Sequence, residues 1–100
     1  MSVRMGLAKA LASARKYKGI PQEGFSNISS RTYVSTLERG LKSPTVDKLE
    51  GLCHILDIHP VSLLFAAYVL AGSNRPEELH QKISKEVDQI LKFATERGNV

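Results

Sequence analysis

Apolar residues in this sequence recur at intervals of three and four, and no stretch sustains the apolar–polar alternation with β-branched enrichment that a half-buried strand needs. A chain with that period has to build its core from helices. With 100 residues, 42% of them hydrophobic, it is the size of one domain and can fill one core. The expected fold class is therefore all-α.

Glycine, proline and short hydroxyl side chains divide the pattern into six segments. The first runs from Met5 to Lys18 with Leu7, Ala8, Leu11, Ala12 and Ala14 on one stripe, and Gly19 stops it. The second is short, opens near Pro21-Gln22 and includes Phe25. The third is "SSRTYVSTLERG", capped by Ser29 or Ser30 and ended by Gly40. Thr45 caps the fourth, Asp47 sits in its first turn, and Val46, Leu49, Leu52, Cys53 and Leu56 face the core. The fifth starts at Pro60 and is apolar nearly all round to Ala71. The sixth, from Asn74 to Arg97, opens on Asn74 and Glu77, which resemble a capping box, and carries Leu79, Ile83, Val87, Ile90, Leu91, Phe93 and Ala94 in one stripe.

The third segment is built from residues of middling helix propensity, an odd choice where Ala, Glu and Lys would serve better. On a helical wheel Val34 and Leu37 lie together with Tyr33 on their flank, and Arg31, Thr32, Ser35 and Thr36 share the opposite face. Only Arg31 is long there, and every group on that face donates or both donates and accepts hydrogen bonds. A helix lying in the major groove of DNA needs such a face: arginine forks onto guanine O6 and N7, hydroxyls bond base edges, and the threonine methyl meets the thymine methyl. The alternative is a solvated surface helix. Charge points the same way. Residues 1–48 hold nine Lys and Arg against three acids, whereas residues 49–100 hold five against seven. A net +6 on one half and −2 on the other suits a polyanion partner.

The stretch "ARKYKGIPQEGF…SRTYVSTLERGLKSPTVDKLEGLCHILDIHPVSLL" resembles helix-turn-helix regulators of the phage-repressor and Cro type, the XRE family, across residues 7 to 65. The resemblance implies a five-helix repressor-like DNA-binding domain, over residues 1–72, whose third helix enters the major groove, followed by an additional C-terminal amphipathic helix over 73–100. By position it gives Ser30, Arg31, Thr32 and Thr36 as base-contacting, and Gln22, Tyr33, Ser35, Arg39, Lys42 and Ser43 as backbone-contacting residues. It also gives Arg15 and Glu38 as a structural ion pair. Two departures stand out. Pro21 occupies the place of a Ser/Thr cap, and the connection from Phe25 to Ser30 is shorter than the family pattern and lacks glycine. A clipped second helix or a tighter turn is expected.

The apolar faces of the fifth and sixth segments exceed what so small a domain can cover. A homodimer through Leu64, Tyr68, Leu79, Ile83, Val87, Ile90 and Leu91 is expected, on a palindromic operator. The alternative is a last helix folded back over its own fifth. Cys53, His54 and His59 fit no zinc spacing, so no metal and no cofactor is expected. No phosphate loop or nucleophile–base motif is present, so the chain does not read as an enzyme. Lys9 interrupts the alanine-rich start, which argues against a signal peptide, and the run 61–72 is too short for a membrane span. A single cysteine fits a reducing cytoplasm. These features read as a sequence-specific transcriptional regulator, a repressor or autoregulator, with duplex DNA and itself as partners, no membrane and no small-molecule ligand. The alternative is an antitoxin-like module that neutralises a protein partner, with DNA binding secondary.

Overall fold

In a computed structural model the described residues, 1–72 and 75–96, form five α-helices, one 3₁₀ turn and no strand. The helices are α1 (Val3–Tyr17), α2 (Arg31–Glu38), α3 (Val46–Leu56), α4 (Pro60–Ala71) and α5 (Pro76–Glu96).

Each helix starts where its local chemistry allows. Oγ of Ser2 accepts from Met5 N at 3.1 Å, Oγ of Ser30 from Tyr33 N at 3.0 Å, and Oγ1 of Thr45 from Lys48 N at 3.1 Å. Before α4, Nδ1 of His59 accepts from Val61 N at 3.0 Å, and Pro60 opens the helix where its missing N–H costs nothing. Two stops rest on glycine in the left-handed region: Gly19 (φ 70°) after α1 and Gly40 (φ 73°) after α2. The third stop, after α3, is Asp57 at φ 54°, a residue that tolerates that region better than most. The proposed Asn74 cap lies outside the described residues.

The second segment departs from the regular helix that the family pattern implies. It is a four-residue 3₁₀ turn, Gln22–Phe25, with no side-chain cap at Pro21. With so few residues between Pro21 and Ser30, the chain completes one tight turn before it must start α2. That turn still delivers Phe25, fully buried, to the core beside Leu11, Val34, Leu52, Cys53 and Leu56.

α1 packs along α4, and Gly6 makes the approach close. A Cβ at Gly6 would collide with the Ala67 carbonyl oxygen and lie 2.9 Å from Ala71 Cβ. Val34 and Leu37 of α2 are 0% and 3% exposed, which pins that helix by its inner side.

α5 does not fold back on α4. None of its residues is buried, and its approach to the body is an edge-on contact of His80 with the Phe65 ring, centroids 6.3 Å apart. The radius of gyration, 15.3 Å, exceeds the ~13 Å of a compact 100-residue chain, as expected when one long helix projects. Val87, Ile90 and Leu91 lie open on its apolar side, Ile90 at 66% exposure.

Candidate nucleic-acid interface

The geometry of α2 follows from its two sides. Burying Val34 and Leu37 turns Arg31 and Thr32 outward, where both are exposed, and leaves Ser35 and Thr36 half-buried on the flank. The outer surface is therefore low, with the Arg31 side chain as its one long projection. Ser30 is exposed at the N-terminus, its oxygen occupied as the helix cap. The hydroxyl of Thr36 donates to the Thr32 carbonyl at 2.8 Å. Its proton is thus committed within the helix, and what it can offer outward is a pair of acceptor sites and a methyl group.

The Arg31 guanidinium has a carboxylate beside it. Its Nε lies 3.1 Å from Oε1 of Glu23 in the 3₁₀ turn, with the two side chains 68% and 55% exposed.

The residues expected to follow a phosphate backbone differ in exposure, Ser35 being half-buried as above. Arg39, Lys42 and Ser43 are exposed in and after the last turn of α2, and Arg39 Nε approaches the Ser35 carbonyl at 3.4 Å. Tyr33 is half-buried, with the Lys48 ammonium 5.4 Å from its ring centroid. The same ammonium donates to the Ile28 carbonyl at 3.0 Å, so α3 braces the connection that precedes α2. Gln22 faces inward: its Nε2 donates to Oε1 of Glu38 at 3.0 Å.

Glu38 is the hub of the scaffold behind this face. Arg15 donates Nε to Oε2 at 2.6 Å and Nη2 to Oε1 at 2.9 Å, and sends Nη1 to the Ile20 carbonyl at 3.1 Å. The side chains are only 13% and 8% exposed, and the fork is bidentate. The hydrogen bond to Glu38 raises the Arg15 pKa above its ordinary value, against the opposing effect of burial. α1 thus neutralises the carboxylate at the end of α2, and the same cluster ties α1, the 3₁₀ turn and α2 together.

Lys48 and Gly6 do structural work, and Glu23 meets Arg31, through contacts that no spacing rule announces, because each acts across segments. Among the described residues no cluster of His, Cys, Asp and Glu could hold a metal, and no single helix is long and apolar enough to cross a membrane. Burial raises the Cys53 pKa. Leu64 of α4 is half-buried against the core, whereas Tyr68 is exposed on the same helix. Leu79 and Ile83 are half-buried at the start of α5.

No protein-family model matches the sequence, and no curated protein does. Solved structures do. One crystal structure of the clp gene regulator ClgR from C. glutamicum is 30% identical, with a TM-score of 0.67 over 72% of this chain and 95% of its own. A second structure of ClgR from Corynebacterium glutamicum, 25% identical, gives a TM-score of 0.65 over 94% of this chain and 95% of its own, a span that takes in α5.

Proposed function

The chain belongs to the family of the clp gene regulator ClgR, and from that premise we propose that it is a transcriptional regulator that binds duplex DNA through α2. The observation that carries this reading is the outer face of α2. Arg31 and Thr32 stand exposed and Thr36 lies beside them, while Val34 and Leu37 are sealed in the core. That face is low enough to enter a major groove and carries the chemistry to read base edges. The net +6 of residues 1–48 supplies the sequence-independent attraction to phosphate.

In this reading Ser30, Arg31, Thr32 and Thr36 face bases. Tyr33, Ser35, Arg39, Lys42 and Ser43 follow the backbone, and the resemblance to phage-repressor and Cro-type regulators supplies those roles. Gln22 follows the backbone as well, with one N–H of its amide engaged by Glu38 and the other left for phosphate. The protein acts in the cytoplasm as a repressor or autoregulator. The open stripe of α5, with exposed Tyr68 on α4, pairs with a second copy. Two-fold symmetry then sets two α2 helices about one DNA turn apart, roughly 34 Å, on a palindromic operator.

Selection of bound sequences from a random duplex pool tests the reading, and a preferred inverted repeat is the expected result. Arg31→Ala should then weaken specific binding by ~1–3 kcal/mol and relax preference at one base position. Lys42→Ala should weaken binding evenly across sequences and reduce the salt slope by about one. A pool with no preferred sequence overturns the reading. A monomer by sedimentation at micromolar concentration without DNA overturns the dimer.

The same open stripe supports a second reading, in which α5 grips and neutralises a different protein. A stoichiometric partner retained through purification, with no homodimer, would favour it.

A further inference from the structure

We propose that Glu23 sets the base specificity of α2 by holding the guanidinium of Arg31. The inference rests on the assignment of α2 to the major groove and adds a residue that this assignment does not use. Of the three acids in the basic half, Glu38 is buried against Arg15. Asp47 lies in the first turn of α3, where the helix dipole favours it. Glu23 makes its one ion pair among the described residues with Arg31, at 3.1 Å, across the connection between the 3₁₀ turn and α2.

Magnitude argues against a role in folding. Both side chains are more than half exposed, and such pairs contribute little to stability because solvent and salt screen them. The effect is larger where the duplex excludes water. The Glu23 oxygen lies 3.1 Å from Nε, and the terminal nitrogens make no hydrogen bond among the described residues, so they can fork onto guanine O6 and N7. Arg31 has many rotamers, and an anchored one reaches the base with less ordering to do. The carboxylate itself only accepts hydrogen bonds. It therefore opposes phosphate oxygens and the acceptor edges of guanine and thymine, and tolerates the amino groups of cytosine and adenine. Glu23 thus acts as a positioning residue that also penalises wrong registers.

The experiment compares the full-length protein with Glu23→Gln, Arg31→Ala and the double variant on the selected operator, on operators changed at each position, and on random duplex. The Arg31 position is the one at which Arg31→Ala flattens preference. Glu23→Gln should lower the preference for guanine there by about threefold to tenfold, raise affinity for random duplex, and leave the melting temperature unchanged. The double variant should discriminate no worse at that position than Arg31→Ala alone. If Glu23→Gln leaves this preference intact while Arg31→Ala removes it, the inference fails and the DNA-reading role of α2 stands. An even loss across all sequences with a lowered melting temperature also overturns it, because that is how a structural residue behaves. If Arg31→Ala changes no base preference, the assignment of α2 falls and the inference falls with it.

Discussion

α2 is eight residues long, and its apolar side is closed by the body of the same chain; α5 is 21 residues long and buries none of its residues. Both are amphipathic. An isolated helix of eight residues is marginal in water, because nucleation is costly and few hydrogen bonds follow it. α2 is therefore helical because Val34 and Leu37 are gripped and Ser30 caps it. α5 is long enough to persist on its own, helped by Glu77 and Glu78 in its first turn and a Lys82–Glu86 pair at 3.0 Å. The short helix is held by the body of the chain, whereas the long one leaves its apolar stripe open.

The difference can be broken most directly by truncating one residue on each side of it. Leu52→Ala, at a fully buried position in the body, should cost about 3–4 kcal/mol in denaturant unfolding. Ile90→Ala on α5 should change the unfolding of the body by less than about 0.5 kcal/mol at concentrations where the chain is single. Equal losses at the two sites would mean that α5 belongs to the folded body. Next in size, Glu38→Ala should cost ~3 kcal/mol, because it strands a part-buried Arg15 and loosens the grip on α2. A loss below about 1 kcal/mol would place the pair among ordinary surface bridges. The smallest effect concerns Cys53. Its folded-state pKa is raised by burial, so the unfolded thiol ionises first. The contribution of this group is complete below the ordinary thiol value and declines as pH rises through that value toward the raised one. Native protein should resist thiol alkylation at alkaline pH while unfolded chain reacts at once, and rapid labelling of native protein would contradict the burial.

What could be read from the sequence was what is decided locally. Ser30, Thr45, Gly19 and Gly40 mark their helix ends because capping chemistry acts within three or four residues. The inward Val34 and Leu37 follow from helical period alone. The shortened second helix was foreshadowed by a missing length of chain, although its 3₁₀ form depends on how Phe25 is drawn into the core. The Arg15–Glu38 pair, 23 positions apart, came from resemblance and not from spacing. Nothing in the sequence pairs Glu23 with Arg31, sends Gln22 inward or sets Gly6 against Ala67, since each depends on how separate segments meet. The stripe on α5 follows from helical period, and that period says nothing of what meets it.

The inward-bonded hydroxyl of Thr36 has a consequence for orientation. Arg31, at the start of α2, carries only donors, and Thr36, just over one turn later, presents only acceptors and a methyl group. The two ends of the helix therefore ask for opposite things of a duplex, and a half-site turned end for end would meet donor with donor. Under the proposed function this gives the target a direction, so two copies related by a two-fold axis would match a site whose halves run towards each other and mismatch one whose halves run in tandem.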